Sequence, residues 1–380
     1  MIDADSYEEA TRQIRERIAA DGRVLDTLRA EIRPLKDHVC RIQPRRTTSI
    51  SLVGTDGGNN RFNFDPFMVQ VVRVVDSSNN EYCLEVVTPT TSVSSLSASH
   101  FKDDGSPKTP LGALMKHLGV RKLTELSHMI RSNDRDEAVS PSWVQVYREL
   151  IEWATLLSLV ETKEFGTDTL IVFDGLLRSK VFAGDKFNRY VKILETAIQA
   201  QFQRSKRRVF LVGVAKHSKV IDRYRLAMAL EAVLTINYPA YIEVPRDVEQ
   251  KAYVWSEYAR GSETEAVGAE INKFVGGKMF LVKFGAGRRD SIWPVDIFEP
   301  QRSNAQLILG CLLADAINGF PVPFYPQCLQ KAHENAALVD FDFDILQDRI
   351  YEAIRISLGE EAGTLDNFTL QDADISQRRY

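Results

Sequence analysis

Several side chains in this sequence are of the types that handle phosphodiesters. Two acids each follow an apolar β-type run and precede glycine: Asp56 in SISLVGTDGGNNRF and Asp174 in TLIVFDGLLRS. A carboxylate at the exit of a hydrophobic strand, beside a glycine that admits backbone or phosphate, is well suited to hold a divalent cation. One Asp-Gly step is an ordinary turn signal. Two of them, each read as closing an apolar strand, suggest the halves of one metal site, because adjacent carboxylates repel unless a cation neutralises them.

A third oxygen ligand is available from Glu149 or Glu152, three residues apart on nearly one face of a helix expected over 141–163, with Ser140-Pro141 as its start signal. The run FYPQCLQKAHENAAL supplies Tyr325, a proline at the first helical position, and His333. Eight residues along a helix leave these side chains about 80° apart, so they can reach one site from adjoining faces. In GVAKHSK, Lys216 precedes a helix start and offers a phosphate contact. Arg204, Lys206, Arg207 and Arg208, with the pair Arg288-Arg289, are the strongest basic clusters and could grip a nucleic-acid backbone. Mixed oxygen and imidazole ligation suits Mn²⁺ at least as well as Mg²⁺. No phosphate-loop motif and no dinucleotide fingerprint occurs.

The elements that must position these groups can be read from periodicity. Residues 4–36 carry an apolar stripe with helical spacing, interrupted at Gly22. It is either a helical extension on its own domain or a dimer or partner contact. Strands are expected at 48–55, 68–76 and 81–88 as an antiparallel meander, then at 168–174, 208–214 and 240–244 alternating with helices 185–203 and 219–234. Residues 89–109, rich in Ser and Thr, read as an exposed or mobile loop, and a helix is expected over 111–132. Further strands at 278–284 and 291–298 precede helices near 303–318, 326–339 and 343–357, then a loosely ordered polar tail. A meander followed by parallel strands, with acids at the ends of its first and fourth strands, is the order of a ribonuclease H-like mixed α/β sheet flanked by helices. The expected organisation is a helical segment at 1–45, a nuclease domain at 46–340 with an inserted loop at 89–109, and a C-terminal helix and tail at 341–380.

Composition sets outer bounds. A chain of 380 residues with 44% apolar content can bury a large core, and a net charge of −4 leaves any DNA contact to local basic patches. Cys40, Cys83, Cys311 and Cys328 are scattered without metal or disulfide spacing, so the expectation is a cytoplasmic protein with reduced thiols. The greasiest stretch, LILGCLLADAI, is too short to span a bilayer, which predicts no membrane association.

Taken in order, VGTDGGNNRF, IVFDGLLRS, LVGVAKHSK, SIWPVDIFEP and GFPVPFYPQCLQKAHENA resemble the NurA nuclease family over residues 48–340. The resemblance implies a metal-dependent deoxyribonuclease using Mn²⁺ or Mg²⁺, typically a homodimer, working with a HerA-like hexameric ATPase in DNA end processing or anti-phage defence. It implies Asp56, Glu152 (or Glu149), Asp174 and His333 as metal ligands and Tyr325 as a further catalytic group. Lys216 falls in the family's lysine motif, and Arg207 and Arg208 join it as expected phosphate contacts. Gly58 and Leu176 stand where the family has serine after each Asp-Gly, and Asp296 and Glu299 are spare acids. The rival readings are a non-catalytic adaptor that caps a ring ATPase and a phosphate-binding regulator built on GVAKHSK.

Overall fold

A computed structural model describes residues 3–45, 50–64, 67–139, 142–253, 274–337 and 340–364. The start signal Ser140-Pro141, the side chain of Asp56 and the last stretch of the polar tail lie outside the described residues. Among those described, nine strands form one sheet: β1 (Cys40–Arg41), β2 (Ile50–Phe64), β3 (Phe67–Asp76), β4 (Glu81–Val87), β5 (Asp168–Asp174), β6 (Val209–Val214), β7 (Ala240–Glu243), β8 (Gly277–Lys283) and β9 (Trp293–Phe298). Their order is β1-β7-β8-β9-β6-β5-β2-β3-β4. The meander β2-β3-β4 is antiparallel, and β5 returns parallel to β2 with β6 parallel to β5. This is the ribonuclease H-like arrangement expected from the sequence. Beyond β6, the strands β9, β8, β7 and β1 extend the sheet antiparallel.

Helices in chain order are α1 (Ala4–Ala20), α2 (Gly22–Ile32), α3 (Val93–Ser99), α4 (Pro110–Leu118), α5 (Leu123–Leu126), α6 (Trp143–Thr162), α7 (Lys186–Ser205), α8 (Lys219–Leu230), α9 (Arg246–Tyr253), α10 (Ala305–Ala316), α11 (Gln327–Ala336) and α12 (Asp340–Leu358). Alternation along each strand splits the core into two layers. Ile171, Phe173, Leu211 and Val74 face α4, α6 and α7 through Trp153, Leu157, Phe187 and Tyr190. On that same first face, Met279 and Leu281 of β8 meet α2, α8 and α9. Leu170, Val172, Val212, Val214 and Val295 face the other way, against Leu309 and Leu312 of α10 and Leu329 of α11. None of the described helices is long and apolar enough to cross a membrane.

Three expectations are corrected. The strand bearing Asp56 does not end there: β2 runs on to Phe64, because antiparallel pairing with β3 continues through Asp56↔Val75 and Gly57↔Val74. Its parallel pairing with β5 stops at Thr55↔Phe173, so Asp56 marks the loss of one neighbour and not a turn. The stretch 89–109 is not loop throughout: it contains α3, where Ser92 accepts from Ser95 N at the start and His100 lies buried after the end. Its serines and threonines signalled caps. The helix expected over 111–132 breaks into α4 and α5 at Gly119, which adopts φ +73°.

Candidate metal and phosphate site

Three expected residues meet directly at the carboxyl ends of β5 and β6. The Tyr325 hydroxyl donates to Asp174 Oδ1 at 3.0 Å and lies 3.5 Å from the Val214 carbonyl. Tyr325 is buried, whereas Asp174 is partly exposed. Lys216 Nζ stands 5.5 Å from the centroid of the Tyr325 ring, near enough for a cation–π contact. One phenol therefore touches an acid at its hydroxyl and a cation at its ring face.

The surrounding chain fixes that phenol. Gln330 accepts from Val322 N at 2.8 Å and donates to the Val322 and Tyr325 carbonyls at 3.0 and 2.9 Å, tying the turn before α11 to the helix. Asp315, at the end of α10, accepts from Cys328 N at 2.9 Å and caps the first turn of α11. Trp293 packs on the Tyr325 ring with centroids 4.9 Å apart. Phe324, immediately before Tyr325, adopts φ +57°, an uncommon conformation for an aromatic residue that this packing must sustain.

Helix α11 then crosses the sheet over β5, β2 and β3. Tyr325 and Pro326 lead into α11, whose six steps from Gln327 to His333 advance about 9 Å, and two strand spacings amount to about 10 Å. Starting at Asp174 on β5, the helix thus reaches β3 near His333. At that end, Asn335 Nδ2 donates to the Asp76 carbonyl at 3.3 Å, and its own carbonyl accepts from Arg73 Nη1 at 2.7 Å. Arg73 and Asp76 register with Gly58 and Thr55, so they bracket position 56. His333 is exposed on this helix. Position 56 follows Thr55 and Asp174 follows Phe173 across the last β2–β5 pair, which places the two backbone positions side by side where the strands part.

The helical acids lie on the first face. Trp153 stacks on Phe173 with centroids 4.5 Å apart, which sets α6 at the level of the site. Glu149 accepts from Ser179 Oγ at 2.6 Å and from Trp153 Nε1 at 3.3 Å, and burial pushes its carboxyl above the usual range. Those bonds commit Glu149 to holding the segment after Asp174. Glu152 is buried beside Arg148, 3.4 Å away.

That segment depends on a missing side chain. After Asp174 the chain crosses β6 over Gly213, where a Cβ would lie 2.4 Å from the Gly175 carbonyl. Arg178 then donates to Asp296 at 2.7 and 2.8 Å and to Glu249 at 2.6 Å. Asp296 is therefore sealed on the face opposite Asp174, and Glu299 pairs with Arg246 at 3.1 Å beyond the far end of β9. Neither spare acid joins the site. Arg207 and Arg208 are also misplaced as contacts for it: they precede β6, six strand residues from Lys216, and Arg208 pairs with Asp168 at 2.8 Å at the amino end of β5. A run of like charges in sequence says nothing about which end of a strand it occupies. Gln330, Asp315 and Arg178 were the contributors that the sequence reading passed over. Arg178 was signalled only by its place four residues after Asp174.

Hard oxygen donors dominate the ligand candidates, while Cys328 in the first turn of α11 is buried with its thiol pushed well up by that burial. This donor set fits Mn²⁺ or Mg²⁺ and disfavours a thiolate-bound metal. Among the described residues, which leave out the Asp56 side chain, no three His, Cys, Asp or Glu converge on a metal position. A groove of about 520 Å³ bordered by His117, Glu161, Lys192 and Arg204 lies elsewhere, on the first face.

Neither a protein-family profile nor a curated protein sequence matches this chain. Among solved structures it is similar to the NurA nuclease from Sulfolobus solfataricus, at 12% identity, covering 94% of this chain and 99% of that one, with a TM-score of 0.44. A NurA structure with dAMP and manganese matches at 9% identity over 89% and 94% of the two chains, with a TM-score of 0.41. Endonuclease V from Streptomyces avermitilis matches at 11% identity over 86% and 94%, with a TM-score of 0.27. Such scores describe a loose match of outline and carry no residue-level correspondence.

Proposed function

We propose that this chain is a divalent-metal-dependent deoxyribonuclease. The observation that supports it is the bond from Tyr325 to Asp174 beneath a helix that continues across position 56. In this reading Asp56, Asp174 and His333 hold Mn²⁺ or Mg²⁺, and Glu152, carried by α6 on the first face at the level of the strand ends, joins them only by reaching around the end of β5. Such an ion, when bound, supplies an activated water for in-line attack and charge to stabilise the departing oxygen. Tyr325 restrains the rotamer of Asp174 by donating to Oδ1. Lys216, exposed above that ring, neutralises the phosphate that enters.

The sequence resemblance extends the proposal to a homodimer acting on DNA ends with a HerA-like hexameric ATPase. The test is linear DNA incubated with the chain and Mn²⁺, with and without a HerA-like ATPase. Wild-type protein is expected to degrade it and to stop on addition of chelator, while Asp56→Asn and Asp174→Asn each lose at least about a thousandfold in rate with an unchanged melting temperature. A metal-dependent, active Asp174→Asn protein would overturn the site. Wild-type silence even with the ATPase would favour the adaptor reading, in keeping with Gly58 and Leu176 at the positions after each Asp-Gly.

A further inference from the structure

The β8–β9 hairpin, at the same end of the sheet as Asp174, carries a built tip that the catalytic reading does not use. Trp293, the first residue of β9, packs on Tyr325, and Ala215 N donates to the Pro294 carbonyl at 3.1 Å, so the hairpin abuts the Lys216 turn. Its tip is pinned internally. Asp290 accepts from Gly287 N at 2.6 Å, and a Cβ on Gly285 would fall 1.9 Å from that carboxylate. Lys283 is fully buried and donates to the Gly287 carbonyl at 2.8 Å and to the Ile236 carbonyl. One acid and one lysine are thus committed to the shape of the loop. Arg288 and Arg289 project from it exposed, and neither has an acidic partner among the described residues.

The geometry points to this tip as a preformed grip for the phosphodiester backbone of DNA leading into the site. The inference rests on the nuclease reading for its orientation but is tested by binding alone. From Trp293 to Arg289 the chain can extend about 13 Å, which is roughly four backbone steps at 3.4 Å per strand. The tip therefore lies within about four phosphates of Trp293, and an arginine-to-phosphate grip there carries no base preference.

Binding of a fluorescent linear duplex to the full chain, by anisotropy in EDTA across a salt series, tests it without any cleavage. Arg288→Glu/Arg289→Glu is expected to weaken binding at least about tenfold, and Arg288→Gln/Arg289→Gln to flatten the log K against log salt slope by about two. Arg207→Glu/Arg208→Glu, at the other end of the sheet, should leave both unchanged. Melting curves accompany each variant, and the glutamine pair alone is read if the glutamate pair melts early. Wild-type affinity and slope in the glutamine pair, equal loss in the Arg207/Arg208 variant, or no wild-type binding would each overturn the grip. Absence of cleavage in a parallel assay with Mn²⁺ and a HerA-like ATPase, alongside the expected binding losses in EDTA, would sink the nuclease reading and leave the grip standing.

Discussion

The two faces of the sheet use similar side chains for opposite ends. On the first face, Arg178, Asp296 and Glu249 are almost fully buried and bonded to one another. On the same face, at the β4 edge of the sheet, Thr109, His100, Tyr147 and Glu85 form a second closed chain, with His100 2.8 Å from Thr109 and 2.9 Å from Tyr147. The single phenolic proton of Tyr147 goes to Glu85, so His100 Nε2–H donates to the phenol oxygen and the neutral ring accepts at Nδ1 from the Thr109 hydroxyl. On the second face, Asp174, Tyr325 and Lys216 form a group that remains partly open. Acids and cations sealed against each other hold the scaffold, whereas an acid held by a phenol beside an exposed cation retains capacity for a ligand.

The contrast is broken most severely at Arg178. Arg178→Met should cost about 3–5 kcal/mol in urea unfolding, because two buried carboxylates lose their counter-charge. Replacing Asp296 and Glu249 with leucine in the same background should recover much of that loss. Unfolding of the single variant at wild-type urea concentrations would show that the triad is not sealed as described.

Acid sharpens the contrast next. Burial holds His100 down to about 4 from its ordinary 6.5, with Lys108 adding to the shift. Between those values the unfolded chain binds a proton that the folded chain refuses, so this contribution is complete above pH 6.5 and is lost as pH falls toward 4. The loss amounts to roughly 3 kcal/mol. Glu85, raised by burial, acts in the opposite direction just above the ordinary carboxyl range. Unfolding free energies from pH 7 to 4 should therefore fall less steeply in His100→Gln than in wild type, and equal slopes would remove His100 as the cause.

Legibility from sequence followed the same division. The meander and the parallel strands were readable because β-type runs alternate with amphipathic helices, and Asp174, Tyr325 and Lys216 were named from strand and helix ends that proved to be neighbours. Periodicity is local, however. It could not show that Asp56 sits within a longer strand, that Arg208 answers Asp168 at the wrong end, or that Asp296 meets Arg178. Ion pairing across 40 or 118 residues depends on the completed sheet. A count of basic residues favoured Arg204–Arg208, while position in the fold favours Arg288-Arg289.

The smallest expected effect tests the open face most directly. Tyr325→Phe removes one hydroxyl and keeps the ring against Trp293, so packing and melting temperature should hold. What is lost is a donor to a charged group, worth about 1.5–3 kcal/mol where it is fully formed. Asp174 is partly exposed, and water can replace the donor, which brings the expected cost nearer 1.4 kcal/mol, or about tenfold. Because the hydroxyl orients the carboxylate and leaves its charge in place, the loss should appear as about a tenfold higher Mn²⁺ concentration for half-maximal cleavage, with the rate at saturating Mn²⁺ little changed. A fall in melting temperature would move Tyr325 into the sealed class. An unchanged Mn²⁺ dependence with a lower saturating rate would place its hydroxyl on the substrate and leave Asp174 oriented by other contacts.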